Sequence, residues 1–395
     1  MDFVVEYKDC CGCGACLAAC PKNAISMKTD ECGYMCASID SGLCVDCGKC
    51  RNVCPAINNN FETDFEKKSY AGTSLDESTK KSASGGIFAL FAKKILSEGG
   101  KVFGTEMNEN FDVQVVGITG EEELHKLQGS KYVQSNMLLA FKQIKDAIKE
   151  NKVLFCGTPC QVSALKNYIG DKRENLILID LVCHGVPSNQ MFKDEIAMLQ
   201  NKYNNRLYSF KFRDKNYGQT STGCLIFKNG DSKKLVSSDS LFYTLFYSKD
   251  IFRESCYTCK YKNINRPGDI TICDYWGVQK EEPEFYKECN DRKIVGISGI
   301  IINTQKGENL FEQSKEKLFF KESTIEKIQK ANPNLVQPSE KGQNYDMVKS
   351  IYKEKGWTGV SKFYRRKYKV NSLARKVYNL CPNFVKKLVK KVLGK

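Results

Sequence analysis

Histidine and tryptophan are scarce in this chain of 395 residues, with two of each. No H-E-x-x-H pair, G-x-G-x-x-G loop, Walker loop or nucleophile elbow occurs. Zinc-protease, dinucleotide-fingerprint, P-loop and serine-hydrolase machinery are therefore excluded. Apolar runs of the roughly 18 residues that span a bilayer are also missing. The opening Met1-Asp2-Phe3-Val4-Val5-Glu6 has neither a basic n-region nor an apolar h-region, so no secretory signal is expected. A cytoplasmic, reducing location follows as an expectation. Acidic residues vanish after Gly356, where twelve Lys/Arg stand alone; the remainder carries 49 basic against 46 acidic residues. The body is close to neutral and offers no general basic surface for nucleic acid.

Cysteine is what the chain has in excess, twenty in all, and eleven fall in the first sixty residues. With no export signal, metal binding or redox chemistry is the leading account of them. Cys10, Cys13, Cys16 and Cys20 read C-x2-C-x2-C-x3-C before Pro21. Cys44, Cys47, Cys50 and Cys54 repeat the pattern before Pro55. Three thiolates at this spacing wrap one face of an iron–sulfur cube. The small residues Gly12, Gly14, Ala15 and Gly48 let backbone N–H groups approach the sulfurs. In two-cluster ferredoxins the fourth cysteine crosses to the other cluster. Cys10, Cys13, Cys16 and Cys54 are therefore assigned to one 4Fe–4S cluster, and Cys44, Cys47, Cys50 and Cys20 to the second. Paired structural zinc sites are the competing account, but they usually join two C-x2-C knuckles over a longer gap. Cys11, Cys32 and Cys36 fall outside the repeat and read as spare local thiols.

A polar stretch, 57–68, reads as a linker. Beyond it, Ser84-Gly85-Gly86 leads into an apolar helix, a setting that suits a phosphate as well as a plain helix cap. Gly129-Ser130-Lys131-Tyr132-Val133-Gln134-Ser135 leads into a second helix, with Ser135 as its expected cap. Two continuous apolar strands, 153–156 and 176–182, run into Gly157-Thr158-Pro159-Cys160 and Cys183-His184-Gly185. Such strands, separated by a helix, predict a parallel sheet with ligands at its carboxyl edge. Asn229-Gly230 marks a hairpin. Cys256 and Cys259 form a lone C-x2-C knuckle that needs two more ligands, and Cys160 and Cys183 are the natural candidates. His184 is read as a hydrogen-bond donor to a cluster, a proton relay or a structural turn residue. His125 reads as a surface residue.

These segments, in this order, resemble the coenzyme F420 hydrogenase/dehydrogenase beta-subunit family, fused to a two-cluster ferredoxin domain. The resemblance covers about residues 1–320. The family includes deazaflavin-reducing subunits and a chlorophyll-cycle reductase; many bacterial members, which this chain resembles, are tied to surface polysaccharide synthesis. It implies a mixed α/β fold, FAD in the body, and a third 4Fe–4S cluster held by Cys160, Cys183, Cys256 and Cys259. It places Ser84, Gly85, Gly86, Ser130, Lys131, Tyr132, Gly157 and Thr158 at the flavin. Cys273 stands where relatives usually have glycine, which leaves the ligand set of the third cluster open.

The organisation expected is a ferredoxin domain over 1–58, a flavin-binding body in two parts over 69–150 and 151–322, and a basic helical tail over 323–395. The function expected is an iron–sulfur flavoprotein oxidoreductase that passes electrons to an organic or deazaflavin acceptor. Lys131 would stabilise negative charge on the reduced flavin, and His184 is the second candidate catalytic residue. An electron-transfer subunit serving a catalytic partner, and a zinc-stapled scaffold, are the alternatives. Expected partners are ferredoxin or another electron donor, a small-molecule substrate and a partner subunit. The apolar and lysine pairs of 384–393 would make an amphipathic helix, suited to peripheral contact with the inner membrane face or an acidic partner.

Overall fold

The computed structural model describes residues 3–59, 61, 63–77 and 81–380, with backbone alone for 367–380. The fold is mixed α/β, as the sequence predicts. It forms two compact units, Met1–Gln343 and Asn344–Lys395. The first opens with the two cysteine runs around a small antiparallel pair, β1 (Ile25–Thr29) and β2 (Met35–Ile39).

The rest of this unit is built on an eight-stranded sheet. Its strands are β3 (Lys68–Ser74), β4 (Lys101–Met107), β5 (Val113–Ile118), β6 (Val153–Gly157) and β7 (Leu176–Leu181). A three-stranded antiparallel sheet then intervenes, with β8 (Leu207–Lys211), β9 (Gly223–Phe227) and β10 (Ser232–Leu235) in the order β10-β9-β8. The chain returns to the large sheet with β11 (Ile270–Asp274), β12 (Ser298–Ile302) and β13 (Leu318–Ser323). The large sheet runs β13-β3-β12-β11-β7-β6-β4-β5, with β4, β6, β7 and β11 parallel. By this pairing the carboxyl ends of β3, β4, β6, β7 and β11 share one edge.

The central strands are apolar because both faces are covered. All five residues of β6 are buried, and so are all five of β12. Helix Ile87–Ser97 packs Ile87, Leu90, Phe91 and Ile95 on one face. Helices Leu138–Ala147 and Pro159–Ile169 cover the other through Phe141, Ile144, Val162 and Leu165. Ala15 and Val53 of the cysteine-rich region join that second cluster, so the N-terminal module shares a core with the sheet. The expected linker is strapped down as well. Phe61 is buried under Tyr261, and Asn167 donates to the carbonyl of Asn58.

Residues 323–343 lie in the first unit. In the second unit, helix Tyr345–Leu380 is broken at Gly356, whose φ of +59° is left-handed. The amphipathic pattern over 384–393 lies outside the described residues. Among the described residues, no helix is long and apolar enough to cross a membrane.

Candidate metal centres and functional site

The two cysteine runs fold so that their fourth members exchange places. Cys10, Cys13, Cys16 and Cys54 line one cavity of about 380 Å³, counted to its open mouth. Cys20, Cys44, Cys47 and Cys50 line a second, of about 580 Å³. Short helices Ala15–Ala19 and Lys49–Asn52 set this up. Each carries the third cysteine of its run, and the fourth follows it and points away to the other cavity. Among the described residues, no three His, Cys, Asp or Glu side chains converge as a single-ion site requires. The thiols ring cavities instead, an arrangement that suits a multi-atom cluster. Gly12, at φ +65°, shows why the loop needs glycine: a Cβ there would lie 2.5 Å from Gln134 Nε2 and 2.7 Å from Arg253 Nη2.

The body brings a third set together. Cys160 sits in the first turn of the helix after β6, Cys183 follows β7, and Cys256 and Cys259 flank the turn after Glu254–Cys256. The four thiols are half-buried and lie within electrostatic reach of one another. Burial pushes Cys259 up to about 11 and raises Cys183 and Cys256 as well. Lys262 donates to the carbonyl of Cys183. Cys273 stands apart. Its thiol faces the carbonyl of Gly299 at 3.8 Å inside an apolar cluster.

Two thiols read as spare lie against members of these sets. Cys36, on β2, hydrogen-bonds Cys10 and, with Arg253 nearby, holds its thiol down to about 5. Cys11 hydrogen-bonds both Cys13 and Cys160, so it stands between the first set and the third. Local spacing signals neither the Cys36–Cys10 nor the Cys11–Cys160 contact, because β2 brings in the first and the helix after β6 the second.

The residues assigned to a flavin gather at the carboxyl edge in several loops. Gly86 (φ +77°) starts helix Ile87–Ser97, and no side chain caps that helix. Its first N–H groups have no intrahelical partner, which fits an anionic cofactor group. Ser84 Oγ is spent on Ile297 O and Ser298 Oγ, at 3.2 and 3.0 Å, and Gly85 N donates to Ser298 Oγ at 3.0 Å. Gly157 ends β6, and Thr158 forms a capping box with Gln161, so that helix satisfies its own start. Ser130 hydrogen-bonds Tyr132, whose ring stacks on Phe246 at 4.7 Å. Ser135 is not the cap expected of it. Met137 is the N-cap residue, Asn136 Oδ1 takes the Leu138 N–H, and Ser135 Oγ accepts from Gln161.

Lys131 Nζ donates to the carbonyls of Lys126 and Gln128 at 3.1 and 2.8 Å. Burial pushes this ammonium down to about 7, against Glu106 and Cys156, which raise it. Between about pH 7 and the unfolded value near 10.4, the unfolded chain holds a proton that the folded chain has released. Stability from this group therefore rises with pH across that window and is flat below it. Urea midpoints should show the wild type gaining on Lys131→Met from pH 7 to pH 10. His184 is held down to about 4, chiefly by burial and then by Lys262 and Lys249, so its imidazole is neutral at pH 7. His125 is exposed.

One cluster at this edge has no sequence motif. Arg213 forms a two-pronged pair with Asp274, at 2.5 and 3.0 Å, and lies over the Trp276 ring. Gln219 bridges Asp274 Oδ1 and Ile297 O at 2.9 and 3.1 Å. The pairing joins the small sheet to β11, which is why spacing along the chain does not reveal it.

Residues 150–328 match the family described as the C terminus of the coenzyme F420 hydrogenase/dehydrogenase beta subunit, and residues 9–58 match the 4Fe-4S dicluster domain. The F subunit of the F(420)H(2) dehydrogenase of Methanosarcina mazei is 25% identical over 192 residues, covering 46% of this chain and 54% of that protein. The chain thus spans about half the length of that relative. A ferredoxin-like protein in the nif region of Rhizobium leguminosarum bv. trifolii is 38% identical over 64 residues, 15% of this chain and 92% of that one. Among solved structures, a chain of the F420-reducing NiFe hydrogenase complex of Methanosarcina barkeri has a TM-score of 0.48 at 15% identity, covering 72% of this chain and 91% of its own. The chain thus carries the C-terminal segment of the coenzyme F420 hydrogenase/dehydrogenase beta-subunit family over residues 150–328, with a 4Fe–4S dicluster domain ahead of it over residues 9–58.

Proposed function

We propose that the chain is a flavin-dependent iron–sulfur oxidoreductase carrying three 4Fe–4S clusters and FAD. The observation that carries the reading is the grouping of twelve cysteines into three sets, with Cys11 in contact with members of the first and third. Cys10, Cys13, Cys16 and Cys54 would hold the inner cluster, and Cys20, Cys44, Cys47 and Cys50 the outer one. Cys160, Cys183, Cys256 and Cys259 would hold the third.

When bound, clusters supply one-electron transfer, and a flavin converts this to the two-electron chemistry of an organic or deazaflavin acceptor. The chain's own part is to fix the spacing and to bury Cys16 and Cys54 of the inner set. The uncapped start of helix Ile87–Ser97 would take an anionic group of the flavin, and Lys131, held down to about 7, would gain its proton as negative charge develops there. The second reading, an electron-transfer subunit serving a catalytic partner, is favoured by the matched Methanosarcina mazei relative, whose own name is that of a subunit.

Oxygen-free reconstitution tests both. About 12 iron atoms per chain fit three clusters, and about 8 fit the ferredoxin part alone. Bound FAD with reduction of an added acceptor supports the enzyme; full iron with no acceptor turnover supports the electron-transfer role. The crossed ligand pairing has its own check. Cys54→Ala should leave the same residual paramagnetic spectrum as Cys13→Ala and differ from Cys47→Ala. Uncrossed runs would instead make Cys54→Ala resemble Cys47→Ala.

A further inference from the structure

The three sets of thiols differ in access to solvent. Cys16 and Cys54 of the first set are buried, whereas Cys47 of the second is exposed. Around that outer cavity the surface has a definite composition. Lys22, Lys49 and Arg51 line it and are exposed, and Asp46 is the one acidic lining residue. No carboxylate among the described residues pairs with these three cations. Phe3, Leu43 and Val45 are exposed apolar side chains on the same rim or in the adjoining turn. Val45 and Cys47 are exposed in a loop that holds two left-handed residues, Asp46 at +52° and Gly48 at +70°. The local excess of positive charge is not a property of the whole surface, because the chain before Gly356 is nearly balanced.

We propose that this face docks a small acidic protein that carries one electron. The inference rests on the proposed function, since it needs a cluster at the Cys20, Cys44, Cys47 and Cys50 set. An apolar centre ringed by unpaired cations is the composition of a brief redox encounter. Such contacts are small, and complementary charge sets their on-rate more than their lifetime. An acidic carrier would be steered to Lys22, Lys49 and Arg51, bringing its redox group beside the most exposed thiol of the chain's cluster sets. A neutral or basic carrier gains nothing from this rim.

The test uses the full-length reconstituted protein and a reduced bacterial ferredoxin of net negative charge. Iron is counted first, because fewer than about 8 atoms per chain overturns the cluster reading itself. With iron in place, the second-order rate of cluster reduction should fall steeply as salt rises. The variant Lys22→Gln/Lys49→Gln/Arg51→Gln should react at least tenfold more slowly at low salt, with a flattened salt dependence. The charge-preserving variant Lys22→Arg/Lys49→Arg/Arg51→Lys should keep the wild-type rate. A neutral variant with full iron and the wild-type rate and salt slope overturns the docking proposal and leaves the clusters standing. Zero-length carboxyl–amine cross-linking of the wild type needs no variant. Ferredoxin joined at Lys22 or Lys49 supports the proposal, and cross-links confined to other lysines overturn it.

Discussion

Asp180→Ala should lower the unfolding free energy by about 3–5 kcal/mol and, under the proposed function, strip iron from the third set first. Asp180 is the penultimate residue of β7, three positions before Cys183, and both it and Arg266 are essentially inaccessible to water. Asp180 Oδ1 takes Nε and Nη2 of Arg266 at 2.9 and 2.5 Å, and Oδ2 takes the Gly268 N–H at 2.9 Å. Arg266 continues to the carbonyls of Tyr261 and Leu181 at 2.6 and 3.0 Å. The pair thus stitches the segment after Cys259 to the strand before Cys183. Removing the carboxylate leaves a buried guanidinium with no counter-charge, and that penalty is the main part of the effect. The double variant Asp180→Leu/Arg266→Met removes both charges and should recover most of the lost stability, because a buried pair is often no better than apolar residues of similar size. Urea midpoints measured without oxygen, with iron counted alongside, check both expectations. Equal losses in the single and double variants would show that packing, not charge, is what Asp180 provides.

The parts of this molecule legible in the sequence are those whose partners lie close along the chain. The repeated cysteine spacing is one, since three thiols and their glycines fall within a single loop. The strands β6 and β7 are another, because unbroken apolar runs with a helix between them fit a parallel sheet. The hairpin between β9 and β10 follows from Asn229-Gly230. What stayed hidden is non-local. The order β13-β3-β12 joins residues more than two hundred positions apart, and β3 has no feature that names β12 as its neighbour. Cys36 meets Cys10 only once β2 pairs with β1, and Cys11 meets Cys160 only when the body folds around the N-terminal loop. The Arg213–Asp274 pair and the cap of helix Leu138–Ala147 were missed for the same reason: competing hydrogen bonds from distant segments decide which polar groups are free.

Arg253→Met should cost about 3 kcal/mol or more and, under the proposed function, slow electron passage from the N-terminal clusters to the third at least tenfold. Arg253 is buried and grips the first cysteine loop from the body. It donates to Gln134 Oε1 from Nε and Nη2 at 3.1 and 2.7 Å, to Cys10 O at 3.0 Å and to Met35 O at 2.8 Å. Its plane lies over the Tyr34 ring, and Nη1 reaches Cys36 Sγ at 3.5 Å. Gln134 in turn donates to the carbonyl of Cys11 at 3.1 Å. The backbone of Arg253 is fixed to the third set: its N–H donates to Val186 O, and its carbonyl accepts from Cys256 N, both at 2.9 Å. One residue therefore sets the separation of two thiol sets. Methionine would leave several buried acceptors without donors, each costing about 1–3 kcal/mol. The potential of the inner cluster separates this role from packing alone. A guanidinium beside Cys10 favours the extra electron, so its loss should move that potential to more negative values. Arg253→Lys keeps the charge but not the fork, and should restore the potential while leaving stability and transfer impaired. An Arg253→Met protein that keeps the wild-type potential, stability and transfer rate would reduce the arginine to a space-filler, and the link between the two sets would then run through Cys11 and through Ser255, whose Oγ donates to Cys10 O at 3.2 Å.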